Sequence, residues 1–251
     1  LFGAGHCHEL FADQVSGSVL LGGGSNLRSY AFATFEIVTD SMERELIDYG
    51  TGLNAGGTPD PQVAEIVAHW QELTDQELEI PIGYLEHEIE QRSDEMAALT
   101  TEAWLWAYPA DVAITNWGGM RYRLPAGQVT YASIISMMPF DNVLMDVSLS
   151  GAELKQVLAS GDSIPAVGGI YLQAGQWILK ESGKPIDPEA TYKLLTTDFL
   201  YAGGDDYRIA EFDPKAYNTA INWRQPVIDW IIAQQSTPKD PLDLAIRELL
   251  D

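Results

Sequence analysis

The sequence predicts an α+β protein, in which strands and helices follow one another in an irregular order and without internal repeats. Short apolar runs that are typical of strands, such as Asp111–Thr115 and Val143–Leu149, are interspersed with stretches of helical spacing, such as Asp94–Tyr108. The chain has 251 residues, of which 46% are hydrophobic. It is therefore long enough for one large domain, or for one domain and a piece of another.

The charge balance is strongly acidic and restricts the partners. The chain has 14 Lys and Arg against 37 Asp and Glu, which gives a formal net charge of −23. Because nucleic-acid binding depends on Lys and Arg, we expect no nucleic-acid partner. A small anionic substrate would be repelled at long range and would have to be held by local arginines or a metal. The composition also agrees with a salty habitat.

The cysteine content, the length of the apolar runs and the first residues of the sequence indicate what to expect about disulfides, membrane insertion and secretion. Cys7 is the one cysteine, so no intrachain disulfide is possible. No apolar run approaches the length of a membrane span, and we expect no membrane partner. The chain begins at Leu1 without a basic segment followed by an apolar one, so we expect a trimmed or excised product that carries no secretory signal.

The N-terminal third predicts strands, a linker and one long helix. Strands are expected at Ser16–Leu21 and Tyr30–Thr39, joined by a glycine-rich turn that lacks a Walker lysine. The polar and then Gly- and Pro-rich stretch Asp40–Pro61 predicts a linker. A helix should run from Pro61 to about Glu79, because proline is favoured at the first helical position. Its apolar residues share one face, which we expect to be core: Val63, Ile66, Val67, Trp70 and Leu73.

The remaining elements are predicted by pattern and by capping residues. Ser93 or Asp94 should cap the helix Asp94–Tyr108, with Trp106 on its buried side, and Thr130 should cap Tyr131–Met138. Ser150 and Glu153 form a capping-box pattern. Further strands are expected at Ile80–Glu86, Gly168–Leu172, Trp177–Lys180 and Tyr192–Thr197, and closing helices at Gln225–Gln235 and Pro241–Leu250.

The end of the strand Asp111–Thr115 carries the first candidate site. Asn116 offers both a donor and an acceptor, and Gly118 and Gly119 allow positive φ and close approach of another group to the backbone. Arg121 presents a planar fork that suits a carboxylate or a phosphate. The stretch is either a strand end that opens onto a ligand or a surface hairpin whose arginines balance local acid.

The histidines near the N-terminus are the second candidate. In Gly5-His6-Cys7-His8 two imidazoles stand at positions i and i+2, where both can turn toward one ion. Imidazole suits zinc and similar divalent metals, but three or four ligands are normally needed. The alternative is a pair of surface histidines.

Four separated motifs resemble, in order and spacing, the C-terminal domain of the 5′-nucleotidase family. They are Asn116-x-Gly-Gly-Met-Arg121, Pro139-Phe140-x-Asn142, Ser150-Gly-x-x-Leu154 and Asp198-Phe199-Leu-x-x-Gly-Gly-Asp205. The resemblance covers roughly residues 80–235. It implies layered mixed sheets with packed helices, in a substrate-binding domain over 80–251 that follows a linker and interdomain helix over 46–79.

The resemblance extends to the N-terminus, where Gly5-His6-Cys7-His8 matches the last metal-ligand motif of the metallophosphoesterase domain that precedes this domain in the family. Residues 1–45 would then be the C-terminal remnant of a metallophosphoesterase β-sandwich. The upstream metal motifs of the family do not occur here. The resemblance therefore implies the C-terminal part of a longer enzyme, with His6 and His8 as metal ligands and no catalytic residue of its own.

The family's binding residues carry over to the matching positions. The resemblance implies that Phe140 and Phe199 stack on the two faces of a nucleobase, the alternative being that both are core residues. Asp205 would accept hydrogen bonds from ribose hydroxyls, and Asn116 would touch base or sugar, or fix its loop. Gly118 and Gly119 lie in the matching loop.

Two arginines complete the implied site. Arg121 matches a residue that reaches the phosphate side of the nucleotide. Arg92 matches a second such arginine, or forms a surface ion pair, because Ala97 and Ala98 stand where the family usually has Gly-Asn.

The implied activity of the intact enzyme is hydrolysis of nucleotide phosphomonoesters with two divalent metal ions, such as Zn, Mn or Mg. Its partners would be a nucleotide or nucleoside and the missing N-terminal metallophosphoesterase domain, in a periplasmic, extracellular or cell-surface location. We expect this chain alone to be catalytically inactive. Alternatives are a non-catalytic nucleoside- or protein-binding module, and a phosphoesterase acting on nucleotide sugars or cyclic nucleotides. A thiosulfate-type enzyme on the same scaffold is disfavoured, since a small inorganic ester needs no aromatic pair.

Overall fold

The computed structural model describes residues 1–37, 44–161 and 163–250. The chain divides into two compact units, Leu1–Ala68 and His69–Asp251. The end of the strand expected at Tyr30–Thr39 and the first residues of the linker expected at Asp40–Pro61 lie outside the described residues.

The first unit contains a three-stranded sheet, a β-hairpin and the beginning of a helix. Its strands are β1 Phe2–Ala4, β2 Leu10–Val15, β3 Ser18–Gly23, β4 Ser29–Ile37 and β5 Arg44–Leu53. Strand β3 lies between β1, to which it is parallel, and β2, to which it is antiparallel. Strand β4 pairs with β5 in an antiparallel hairpin.

Strand β5 corrects the expected linker, because residues 44–53 are paired backbone rather than a connection. The glycines that indicated a linker have a packing role. A Cβ at Gly52 would lie 2.5 Å from the ring of Tyr30, and one at Gly50 would lie 3.3 Å from the ring of Phe32. Glycine in a strand often marks such a close approach, which composition alone does not separate from flexibility.

Helix α1 spans Pro61–Leu78, close to the predicted bounds, and begins where Asp60 accepts hydrogen bonds from the backbone N–H groups of Gln62 and Val63. The expected burial of its apolar face is wrong. No residue of α1 is buried, and Trp70 is 63% exposed. Helical periodicity shows which face is apolar, but it does not show what covers that face.

The second unit is built around a five-stranded sheet of order β10-β7-β13-β9-β14. Strand β13 runs parallel to β7 and antiparallel to β9. Two antiparallel pairs, β6 with β8 and β11 with β12, accompany it. The strands are β6 Pro81–Leu85, β7 Val112–Thr115, β8 Gly127–Thr130, β9 Val143–Ser150, β10 Ala166–Gly168, β11 Ile170–Gln173, β12 Gln176–Leu179, β13 Thr191–Thr197 and β14 Tyr217–Asn222.

Helices cover both faces of this sheet. They are α2 Asp94–Ala107, α3 Tyr131–Met137, α4 Gly151–Ala159, α5 Asp198–Tyr201, α6 Ile209–Phe212, α7 Gln225–Ala233 and α8 Asp243–Glu248. Along β7 the side chains alternate: Val112 and Ile114 join the core on one face, and Ala113 joins the core on the other. The predicted α+β class with layered sheets and helices is confirmed. None of the helices in the described ranges has the length and apolarity needed to cross a bilayer.

The predicted caps occur in the structure. Ser93 accepts from the N–H of Met96, and Thr130 and Ser150 each form a capping box. Hydrogen bonds from the Ser150 hydroxyl and backbone hold the pKa of the Glu153 carboxyl below its ordinary value.

The expected burial of Trp106 is wrong, since its side chain is 56% exposed. The buried indole is that of Trp104, which donates from Nε1 to the carbonyl oxygen of Trp223 at 2.9 Å. Helix α2 is buried continuously from Met96 to Thr101, so it is covered on several sides. A single periodic stripe therefore does not identify its buried residues, and Trp106 lies in the last turn.

Candidate functional site

Several candidate residues lie on segments next to strand ends that meet at one edge of the central sheet. Because β7 and β13 are parallel, the loops that leave them start at the same edge. Strand β9 is antiparallel to β13, so the loop before β9 reaches that edge too. Strand β14 also ends there, with Asn222 paired to Val143. This topology brings together the motifs around Asn116, Phe140 and Phe199.

A hydrogen bond joins two of these loops. Nδ2 of Asn116 donates to Oδ2 of Asp205 at 2.6 Å. Asp205 has φ 51° and ψ 36°, in a turn where Gly203 has φ 102°. Its other carboxylate oxygen accepts no hydrogen bond from the residues that the structure describes, and both oxygens belong to an exposed side chain.

The two glycines after Asn116 are needed for close packing rather than for positive φ. They form a 3₁₀ turn, Trp117–Gly119, without positive φ at either glycine. A Cβ at Gly118 would lie 3.3 Å from Nδ2 of Asn116, and one at Gly119 would lie 3.0 Å from both Oδ1 of Asn116 and the ring of Trp223. The turn therefore packs closely around the Asn116 amide.

Phe140 lies at the surface beside Arg121. Its side chain is 46% exposed, and Cζ of Arg121 lies 5.9 Å from the ring centroid, within the range of a cation–π contact. Nη1 of Arg121 donates to the carbonyl oxygen of Gly118 at 3.3 Å. The guanidinium is thus placed between the ring and the glycine turn.

Phe199 lies at the surface on the first turn of α5. Its side chain is also 46% exposed, and its ring lies so close to Gly204 that a Cβ there would be 2.4 Å from ring carbons. The rings of Phe140 and Phe199 do not contact each other, and neither belongs to either core of the second unit. Part of each ring is therefore left to solvent or to a ligand.

Arg92 occupies an exposed turn with φ 64°. Its guanidinium makes no hydrogen bond or ion pair with any residue in the described ranges. The neighbouring Gln91 donates from Nε2 to the carbonyl oxygen of Met120 at 2.9 Å, which places the Arg92 turn next to the Arg121 segment.

His6 and His8 belong to the first unit and lie between β1 and β2. Both are exposed and have positive φ, 64° and 59°. Over residues 1–37, 44–161 and 163–250, no group of three or more His, Cys, Asp or Glu is arranged to hold a metal ion. The two imidazoles fit the donor type that a divalent metal prefers, but they do not complete a site.

The sequence analysis assigned no role to four polar or aromatic residues at this edge. Nδ2 of Asn142 donates to Oδ1 of Asp198 at 2.6 Å, and Nε1 of Trp223 donates to the carbonyl oxygen of Phe140 at 2.8 Å. Arg224 forms an ion pair with Asp141. Asn142 and Asp198 lie inside the motifs quoted above, whereas nothing in the sequence marks Trp223 and Arg224.

The second unit is thus an α+β domain that exposes aromatic, amide, carboxylate and guanidinium groups near one edge of its central sheet. The family model "5'-nucleotidase, C-terminal domain" matches residues 79–211 of the chain. The chain therefore belongs to the 5′-nucleotidase C-terminal domain family.

Similar proteins agree with this family. The chain is 28% identical over 202 residues to protein UshA of Yersinia enterocolitica, which covers 73% of this chain and 36% of UshA. It is 25% identical over 191 residues to a 5′-nucleotidase of Vibrio cholerae, which covers 69% of this chain and 34% of that protein. The chain thus spans about a third of the length of these relatives.

The fold is shared with solved structures. A 5′-nucleotidase precursor from Thermus thermophilus aligns with a TM-score of 0.68 at 20% identity, over 87% of this chain and 50% of that one. At this identity the likeness shows the fold, and the roles of individual residues depend on their geometry in this chain.

Proposed function

We propose that residues 80–251 recognise the nucleoside part of a nucleotide, as the substrate-binding domain of a 5′-nucleotidase-like enzyme that hydrolyses nucleotide phosphomonoesters. The observation that carries the proposal is the pair of surface rings, Phe140 and Phe199, on loops that meet at one sheet edge. Large aromatic side chains are usually buried, and exposed ones on loops favour a binding role.

The proposed ligand matches the groups at this edge. Aromatic faces bind any nucleobase, and each stacked ring contributes about 1–3 kcal/mol in proteins that bind single strands. The Asp205 carboxylate suits the two hydroxyls of a ribose, with Asn116 holding it in place. In a chain of net charge −23, the phosphate needs a local cation, and we assign that role to Arg121 and Arg92.

The metal chemistry is proposed for the whole enzyme, with His6 and His8 as two of its imidazole ligands. Bound there, divalent metal ions would supply an activated water and a Lewis acid for the phosphate oxygens. We assign the remaining ligands to an N-terminal metallophosphoesterase domain, of which residues 1–53, through strand β5, are the last part, with 54–79 as linker and interdomain helix. A periplasmic, extracellular or cell-surface location is part of the same proposal.

Calorimetric titration of the 251-residue chain with adenosine tests the binding site. Phe140→Ala and Phe199→Ala should each raise the dissociation constant roughly 5- to 150-fold, the equivalent of about 1–3 kcal/mol. Tyr171→Ala is the matched control, because Tyr171 is an exposed aromatic on β11, outside the converging loops. Unchanged affinity in both phenylalanine variants, or equal affinity for adenosine and for ribose, would overturn the assignment.

Measurement of phosphate release from AMP tests whether this chain can catalyse hydrolysis without the proposed N-terminal domain. With added Mn²⁺ or Zn²⁺, this chain should release no phosphate above the uncatalysed level, because the described residues hold no complete metal site. Robust turnover would show that the chain catalyses by itself.

A further inference from the structure

We infer that Asn142 and Asp198 are positioning residues that set the separation of the two aromatic side chains at this edge. The inference rests on the proposed function, since it concerns the distance between the two phenylalanine rings that would stack on the base. Neither residue is given a contact with the ligand. Their role is to couple the loop that carries Phe140 to the helix that carries Phe199.

The coupling is a single short hydrogen bond across 56 residues of sequence. Nδ2 of Asn142 donates to Oδ1 of Asp198 at 2.6 Å. Asn142 stands two residues after Phe140, and Asp198 immediately precedes Phe199. The same Oδ1 accepts the backbone N–H of Phe199 at 2.9 Å. One carboxylate oxygen therefore connects the backbone of one aromatic residue to the loop of the other.

The Phe140 loop is anchored from behind by the end of β14. The buried Trp223 donates from Nε1 to the Phe140 carbonyl oxygen at 2.8 Å and from its backbone N–H to the Asn142 carbonyl oxygen at 3.1 Å. Nη1 of Arg224 donates to the carbonyl oxygen of Met138 at 3.3 Å. These contacts fix the backbone of the loop but do not reach Phe199.

The start of α5 is anchored separately. The Thr197 side chain, which is buried, accepts from the N–H of Leu200 and caps the helix. The backbone around each aromatic residue is therefore anchored separately. The Asn142–Asp198 hydrogen bond links the Phe140 loop directly to the start of α5. Both partners are half-buried, and a hydrogen bond to a carboxylate in such a place is stronger than one between neutral groups.

A double-mutant cycle measures this coupling. Asn142→Ala and Asp198→Ala should each raise the dissociation constant for adenosine about tenfold, and the double variant should be no weaker than either single variant. Additive losses would show that the two residues act independently, and this result would overturn the inference.

A variant in which the two side chains are exchanged distinguishes a role in positioning the rings from a contribution to folding stability alone. In Asn142→Asp/Asp198→Asn the amide at position 198 can donate to the carboxylate at position 142, but the nitrogen that makes this bond cannot also accept the Phe199 N–H. The link between the loops is restored and one backbone contact is lost, so we expect adenosine affinity and adenine H2 and H8 ring-current shifts between those of the alanine variants and those of the original. Gln225→Ala is the control, because it removes an exposed amide–carboxylate bond of 2.8 Å on α7, and it should leave affinity unchanged.

The outcomes distinguish this inference from the proposed function. If adenosine binds and depends on Phe140 and Phe199, but the Asn142→Ala and Asp198→Ala variants keep full affinity and full ring-current shifts, the positioning role is wrong and the base site stands. If neither phenylalanine affects adenosine binding, the base site fails and the positioning role fails with it. An exchanged pair that binds as weakly as the alanine variants also contradicts the inference.

Discussion

Nδ2 of Asn116 donates a 2.6 Å hydrogen bond to Oδ2 of Asp205, across 89 residues of sequence. The two residues follow the parallel strands β7 and β13, so the bond connects neighbouring strand ends. It holds the Asp205 carboxylate in one orientation while the other oxygen accepts nothing from the described residues. In the proposed function, this second oxygen is the acceptor for the hydroxyl groups of the ribose.

The first prediction concerns recognition of the sugar. The chain should bind adenosine roughly tenfold more tightly than 2′,3′-dideoxyadenosine, because a hydrogen bond to a carboxylate contributes about 1.5–3 kcal/mol. In Asp205→Ala the two affinities should become equal. Asp206→Ala is the control, since both residues have positive φ and the two substitutions carry similar backbone strain. If the Asp205→Ala variant still binds adenosine more tightly than 2′,3′-dideoxyadenosine, Asp205 does not bind the ribose hydroxyls.

The second prediction concerns Gly204. An added Cβ would lie 2.4 Å from the ring carbons of Phe199, and the exposed ring has to swing away. Gly204→Ala should therefore lower adenosine affinity toward that of Phe199→Ala, with little change in melting temperature. Gly57→Ala, which meets no atom within 4 Å, should change neither quantity. Full affinity in Gly204→Ala would show that the observed ring position is not the one that binds.

The third prediction concerns the stability of the C-terminal helix. Burial alone would raise the pKa of the Asp243 carboxyl, but hydrogen bonds from the backbone of Glu86, and from the ring and backbone of His87, hold it below its ordinary value. Because the folded-state pKa is lower than the unfolded one, the carboxylate stabilises the fold fully above about pH 4. That contribution is lost as the pH falls through the folded-state value.

Chemical denaturation as a function of pH measures this effect. At pH 7, Asp243→Ala should lower the free energy of unfolding by about 1–3 kcal/mol, because two backbone donors lose their acceptor. The difference from the original chain should shrink as the pH falls below about 4. Asp240→Ala, at an exposed position nearby, should have little effect at either pH. A difference that stays constant down to pH 2 would contradict the assigned ionisation.

Local signals in the sequence predicted most elements of the second unit. The capping boxes at Thr130 and Ser150 depend on residues three positions apart, so the sequence contains all the partners that they need. The strands β9 and β13 have apolar side chains on the faces that the sheet buries. Such features follow from neighbours along the chain and are predictable for that reason.

Features that depend on distant partners were not predictable. Gly52 in β5 indicated a linker because the ring of Tyr30, which explains the glycine, lies on another strand. The periodicity of α1 predicts a buried apolar face, but it does not show which other part of the protein would pack against that face. The Asn142–Asp198 bond spans 56 residues, and only the folded sheet edge brings its partners together.

The most direct test of the base site is a nuclear Overhauser measurement on the 251-residue chain with bound adenosine. A base held between the two rings should give cross-peaks from adenine H2 and H8 to the ring protons of two phenylalanines. Phe140→Leu and Phe199→Leu should each remove one of the two sets. Cross-peaks to neither ring, with adenosine bound, would contradict the account.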